Sequence, residues 1–469
     1  MAYRSRRDLL RGTLGAAALG LAPRSRSQKT APGAWYQIDS ILARIRAPIF
    51  PKRDFEITRF GAAGDGAKDS TDAIARAITA CHRAGGGRVV VPAGVFLTGP
   101  VRLQTNVDLH VASGATLRFV RDPKRYLPLV FTRWEGLECL NYSPFIYADG
   151  QDNIAVTGEG TLDGNCDCEH WWGWKGRTNC GWTKGEPTQD PARRLLNEMG
   201  QKGIPVAERK FGEGGYLRPN FVEPVRSRNI LIEGVTIVDS PMFAIHPVYS
   251  SNVTVRNVRI SSHGPNNDGC DPDSCRDVLI ENCLFDTGDD CIAIKSGRNQ
   301  DGRRVGIPSE NIVIRGCTMK DGHGALTIGS EMSGGVRNVF AQNCQLDSSN
   351  LNQAFRFKTN AMRGGTIENV DFRDIQIGQI AHAVLEIDFH YEEGAQGHEL
   401  PLVRNIDIRD VTCRKAERAL DVRGFPNAKI LNVRLDSCTF DHVEKASVIE
   451  NVEGLAFHNV NQNGKRIDA

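Results

Sequence analysis

A nine-residue pattern that recurs through the second half of the chain limits what this sequence can fold into. NILIEGVTI from Asn229, NVTVRNVRI from Asn252, DVLIENCLF from Asp277, NIVIRGCTM from Asn311, NVFAQNCQL from Asn338, NVDFRDIQI from Asn369, NIDIRDVTC from Asn405 and NVRLDSCTF from Asn432 share it. With a terminal copy at Asn451, the starts lie 19–36 residues apart. Apolar and polar residues alternate inside each copy, as they do in strands. Six residues after each start stand Val235, Val258, Cys283, Cys317, Cys344, Ile375, Val411 and Cys438. A column that accepts Val, Ile or Cys interchangeably reads as a buried ladder in which cysteine acts as a small hydrophobe. Free thiols are expected there rather than disulfides or metal ligands. Strands that return at this period without helices between them predict an all-β chain, a right-handed parallel β-helix of about ten coils.

The N-terminal part differs. Ser5-Arg6-Arg7-Asp8-Leu9-Leu10-Arg11 precedes a small-residue apolar run, so residues 1–27 read as a twin-arginine-type export signal and predict a periplasmic or secreted protein. Residues 28–54 form an N-terminal extension, and 55–469 the β-helix. In 55–119 a helix with the apolar face Ile74, Ala77, Ile78 and Cys81 starts near Asp69 or Ser70. It ends at Gly85-Gly86-Gly87, as the polar-faced cap of a solenoid would. The triple glycine lacks the Lys-Ser/Thr of a phosphate loop. Residues 165–222 interrupt the repeat with an insert that carries Trp171, Trp172, Trp174 and Trp182 beside Cys166, Cys168, Cys180 and His170. Packing of the loop on itself, a local disulfide and a zinc site are open readings, although the spacing matches no common zinc pattern. The insert is placed to wall one end of a groove, with tryptophans that can stack on sugar faces.

Without residues 1–27, which hold six arginines and one aspartate, the formal charge changes from +2 to −3. No overall positive field remains to capture a polyanion, so nucleic acid is not expected as a partner. No apolar run is long enough for a membrane span. A chain that folds before export does so in a reducing cytosol, which suits free thiols.

Two turn-rich clusters carry aspartates: Asn266-Asn267-Asp268 and Gly288-Asp289-Asp290. Twenty-one residues separate Asp268 from Asp289, close to one period, so they should meet one rung apart, roughly 4.8 Å. Such a group suits glycosidic hydrolysis, where one protonated carboxyl serves the leaving oxygen and an ionised one activates water. Crowding should raise at least one of their pKa values. Asp271 and Asp273 read as ordinary turn aspartates. His323, between two glycines, and Arg356 follow at successive intervals of 33 residues from Asp290. Alternation puts Arg356 and Lys358 on one side and Phe357 in the core. Two cations beside carboxylates suit an anionic substrate. Tyr391 lies 35 residues beyond Arg356, and Lys295 and His246 have weaker claims on the same face.

Asn266-Asn267-Asp268, Gly288-Asp289-Asp290, Gly322-His323-Gly324 and Arg356-Phe357-Lys358 resemble, in order, the four signature motifs of the polygalacturonase family, family 28 of the glycoside hydrolases. The resemblance covers nearly the whole chain after residue 27. It implies metal-free, cofactor-free, inverting hydrolysis of an acidic polysaccharide or oligogalacturonide. It implies Asp289 as general acid and Asp268 and Asp290 as holders of the water, with His323 supporting the acid's protonation. Arg356, Lys358, Asn266 and Tyr391 would bind substrate. Asn267 stands where the motif has Thr, and Phe357 where it has Ile. Cys291 has Asp321 opposite it, so a disulfide found there in relatives is expected to be absent. The insert, Gly215 to Pro219 and Ser240 to Val248 resemble bacterial exo-acting members. Other readings are hydrolysis of rhamnogalacturonan or xylogalacturonan, a calcium-dependent lyase, and a non-catalytic carbohydrate-binding β-helix. An acid that must keep its proton predicts highest activity below neutral pH.

Overall fold

In the computed structural model, which describes residues 34–467, the chain winds as a right-handed parallel β-helix. One ladder runs from Asp54–Glu56 through Gly87–Val91, Val107–Val111, Asp152–Gly158, Arg228–Glu233, Ser251–Arg256, Arg276–Glu281, Ser309–Arg315, Val336–Gln342, Thr366–Gln379, Leu402–Lys415 and Ile430–Asp436 to Val452–His458. Its thirteen rungs exceed the expected ten coils: the first two lack the asparagine lead, whereas Asn106 and Asn153, left-handed and bonded to each other at 3.0 Å, lead the next two. A second ladder bends away from the first, and a third face carries Ile292–Ile294, Gly322–Ile328, Leu351–Lys358, Ala383–Asp388, Arg418–Arg423 and Val448–Glu450. The expected export signal lies outside the described residues, as does the start of the extension. Among the described residues, no helix is long and apolar enough to cross a membrane.

The repeat's asparagines explain the corners. Each leading residue, from Asn229 to Asn451, has φ of 53–58°, a left-handed conformation that Asn and Asp tolerate best after glycine. Stacked one rung apart, their amides hydrogen-bond up the helix at 2.7–3.2 Å, as from Asn252 to Asn229 and Asn338 to Asn311. A second left-handed residue, five positions after each start (Gly234, Asn257, Asn282, Gly316, Asn343, Asp374, Asp410, Ser437), turns the chain from the first ladder into the second. The next side chain then enters the core. Cys283, Cys317, Cys344 and Cys438 all lie there, buried and free.

The helix Thr71–Arg83 packs beneath the first rungs, with Ile74, Ala77, Ile78 and Cys81 buried. Asp69, rather than Ser70, caps it, accepting from the backbone N–H of Thr71 at 2.9 Å. The extension also docks. Helix Ile38–Arg44 buries Ile38 and Ile41 against Leu279, Val313 and Phe340 on the outside of three successive rungs, and Trp35 meets Phe340 edge-on at 5.9 Å. Between Asp163 and Val222 the chain leaves the ladders and folds the helix Asp190–Gln201.

Candidate active site

Register stacking on the third face brings the predicted residues together. Asp268 precedes Cys270, whose backbone bridges to Ile245 on one rung and Ile292 on the next. Asp289 and Asp290 lead into Ile292–Ile294, which pairs with the strand of His323, and that strand pairs Thr327 with Arg356. Asp268, Asp289 and Asp290 each present an oxygen within 4.8 Å of the others. Asp268, Asp289, His323, Lys295, Arg356, Lys358, Asn266 and Tyr391 line one cavity of about 410 Å³. Asp290 lies beneath its floor, fully buried, accepting a hydrogen bond from Lys358 Nζ at 2.6 Å with Arg356 3.5 Å away. Phe357 is in the core, as alternation requires.

Supporting contacts fix these groups. Asn267, at the threonine position of the motif, is buried and fully bonded. Its Oδ1 accepts from Ser262 Oγ at 2.6 Å and Gly264 N at 2.8 Å, and its Nδ2 donates to Ser240 O at 2.9 Å. Asn266 is left-handed, with φ of 54°, and accepts from buried Arg218 at 2.8 Å. Arg218 also donates to Gln189 at the start of the insert helix, at 3.0 Å, which ties insert and aspartate loop together. Arg356 donates to Glu386 at 3.0 Å. The rings and cations also meet: the Tyr391 centroid is 5.4 Å from Lys358 Nζ and 5.8 Å from the Arg356 guanidinium.

The crowding raises a different carboxyl from the one the motif assigns as acid. Burial, with Asp271 and Asp289 adding to it, pushes Asp268 well above the usual carboxylate range. Burial also carries Asp271 up to about 7, even though Lys295 pulls it down. Asp289 goes the other way. Burial would raise it, but the hydrogen bond and charge of His323, then Lys358 and Lys295, outweigh that and hold it below its ordinary value. His323 Nδ1 lies 2.9 Å from Asp289 Oδ1, and that bond raises its pKa against the opposing effect of burial. The proton that a general acid needs therefore rests on the histidine side of this pair. A histidine raised above its ordinary value of about 6.5 is fully protonated below that pH and loses its proton as pH rises through the higher value. Accordingly, the alkaline limb of kcat/KM on galacturonan, where the acid loses its proton, is expected above pH 6.5. An alkaline limb near pH 4, where a lone carboxyl loses its proton, would contradict the pairing.

A basic side chain stands beside each of the three: Lys295 3.5 Å from Asp268, shared with Asp271 and Glu331, His323 2.9 Å from Asp289 and Lys358 2.6 Å from Asp290.

Several expectations need correction. Asp271 and Asp273 are not ordinary turn residues. Both are fully buried, Asp271 3.6 Å from Lys295 and Asp273 paired with Arg133 at 2.8 Å. His246 does not reach the cavity; it is buried behind it, between Asn220, Glu223 and Asp273. The tryptophans of the insert build no sugar platform: Trp171 is buried against Tyr126 and Phe145, Trp172 donates to Ser240 O, and none of the four lines the cavity. Cys168 and Cys180 form a disulfide, Cys166 is buried and free, and His170 pairs with Asp167, which leaves no zinc set. Cys291 is free, as expected. What the insert gives the cavity is charge, in Lys175, Arg177 and Arg193. These three were missed because the insert's Trp and Cys content drew the reading; its Lys and Arg were the signal. Glu135, Glu331 and Glu392 were missed too, since they lie in loops with no motif.

Residues 206–456 match the family model for glycosyl hydrolases family 28, and residues 55–115 that for rhamnogalacturonase A/epimerase, pectate lyase-like. The second match ends before any residue that lines the cavity. The structure superposes on a hyperthermoactive exopolygalacturonase from Thermotoga maritima with a TM-score of 0.90 and 45% identity, covering 93% of this chain and 97% of that one. An exo-poly-alpha-D-galacturonosidase of Dickeya chrysanthemi is 28% identical over 72% of this chain and 57% of its own length. An endo-polygalacturonase of Pectobacterium carotovorum subsp. carotovorum is 26% identical over 81% of this chain and 87% of its own.

Proposed function

Because this chain belongs to family 28 of the glycosyl hydrolases, we propose that it hydrolyses the α-1,4 galacturonosyl bonds of polygalacturonate, working from a chain end. The observation that carries this reading is the meeting of Asp268 and Asp289 with Arg356 and Lys358 in one cavity, with Asp290 directly beneath them. Asp289 protonates the glycosidic oxygen as the bond to the anomeric carbon breaks, with His323 holding the proton beforehand. Asp268 and Asp290 hold the water that attacks that carbon from the opposite side, and Asp290 takes its proton. Arg356 and Lys358 bind the carboxylate of the uronate at the cleaved bond. Export to the periplasm or beyond, as the arginine-rich N-terminus suggests, would bring the enzyme to such a polymer.

Chain-end action is supported by the insert. Arg193, on its helix, bonds to Glu135 at 2.5 Å and reaches Glu392 at 3.4 Å, joining two loops across the cavity rim. Such a bridge favours entry of a chain end over passage of a polymer. Time courses on polygalacturonic acid should release monomer or dimer from the first points with little loss of viscosity. Early oligomers of mixed length would refute the exo mode. Unsaturated, ultraviolet-absorbing products together with loss of activity in chelator would refute hydrolysis itself.

A further inference from the structure

The cavity carries more cationic side chains than one uronate requires. Arg356 and Lys358 are committed on one side, each paired to Asp290 or Glu386. On the insert side stand Lys175 and Arg177, which reach no carboxylate within 4 Å among the described residues, whereas Arg193 beside them is neutralised by Glu135 and Glu392. Lys175 is mostly enclosed. Its burial, then the neighbouring cations Arg218, Arg193 and Arg177, push its pKa down, and only Glu135 resists. An ammonium walled in among guanidiniums and open to a cavity is a vacancy for an anion. The loop that carries both residues lies inside the ring closed by Cys168–Cys180, which limits its freedom and keeps them at the cavity.

We propose that Lys175 and Arg177 form a second carboxylate subsite, which holds the uronate adjoining the one bound by Arg356 and Lys358. The proposal rests on the galacturonan reading above and deepens it: the enzyme recognises two consecutive acidic sugars, and methyl-esterified pectin is rejected at either. The insert then serves as a charge reader as well as a wall.

The test compares digalacturonate with its two mono-methyl esters, each blocking one carboxylate. In the wild-type enzyme either ester should lower kcat/KM by about tenfold or more, since each removes a charge-assisted bond. In Lys175→Met and Arg177→Gln, one ester should still lower it, and the other should make no further difference. Arg177 is exposed, so Arg177→Gln keeps the comparison available if Lys175→Met fails to fold. Variants that retain the full penalty for both esters would overturn the subsite, as would a wild-type enzyme indifferent to one ester. A wild-type enzyme that turns over none of the three substrates would overturn the hydrolase reading, and the subsite with it. That result is recognisably different from turnover without discrimination.

Discussion

Asp289→Asn is expected to lower kcat on polygalacturonate by roughly 10²–10⁴-fold, the usual worth of a positioned general acid. Asparagine fills the same space and can still accept from the Asp290 backbone N–H, which now bonds to Asp289 Oδ1 at 3.0 Å. It also relieves the repulsion that Asp289 exerts on buried Asp268. Melting temperature should therefore change little, while the chemistry is lost. A second readout belongs to the same variant. His323 owes its raised pKa first to the Asp289 bond, so its titration should move back down once the carboxylate is gone. Activity within tenfold of wild type, or an unmoved histidine titration, would show that the proton is not held where the geometry places it. A carbohydrate-binding β-helix would be indifferent to this substitution.

Lys358→Met is expected to damage both fold and function. Lys358 and Asp290 are a buried pair 2.6 Å apart, with Asp290 fully enclosed. Removing the cation leaves a buried charge without its main partner, which typically costs about 3–5 kcal/mol, a large share of the roughly 5–15 kcal/mol that holds a protein folded. Arg356, 3.5 Å from the other Asp290 oxygen, compensates only in part. Adding Asp290→Asn should restore much of the lost thermal stability by removing the stranded charge, yet leave the enzyme inactive, because the water has lost its base. Recovery of activity in the double variant would mean that the pair is purely structural. No loss of stability in the single variant would mean that the pair is not buried as described.

The sequence carried the solenoid plainly because the repeat is a backbone requirement written in side chains. Only Asn, Asp and Gly sit comfortably at the left-handed corners, and only small or branched apolar groups fit the position that follows, so Asn338 and Cys344 report geometry directly. The catalytic column was legible for the same reason: once coils stack, spacing becomes proximity. Where each proton sits was not legible. It depends on which carboxyl faces Lys295 and which faces His323, and that is decided by burial and angles that spacing does not encode. Asp271 looked like any turn aspartate beside Pro272, yet the rung above turns Lys295 onto it. The insert has no period at all. Trp171 and Trp174 turned inward because Tyr126, Tyr142 and Phe145 offered an apolar wall, and the insert's cations were left facing the cavity. The extension was half legible: Leu279, Val313 and Phe340 are apolar at outward positions where other copies have Thr254, Asp371 or Asp407, a hint that something covers them.

Whether the stacked aspartates act together as one acid and one water clamp is tested most directly by the anomeric form of the first product. Their nearest oxygens, within 4.8 Å, stand closer than the roughly 6.5–9.5 Å typical of paired inverting carboxyls. Proton NMR of digalacturonate or trigalacturonate hydrolysis, recorded before mutarotation, decides between the two courses. Water held by Asp268 and Asp290 opposite Asp289 predicts that the newly formed reducing end appears first as the β anomer. An initial α anomer would mean a covalent intermediate and would contradict this division of roles.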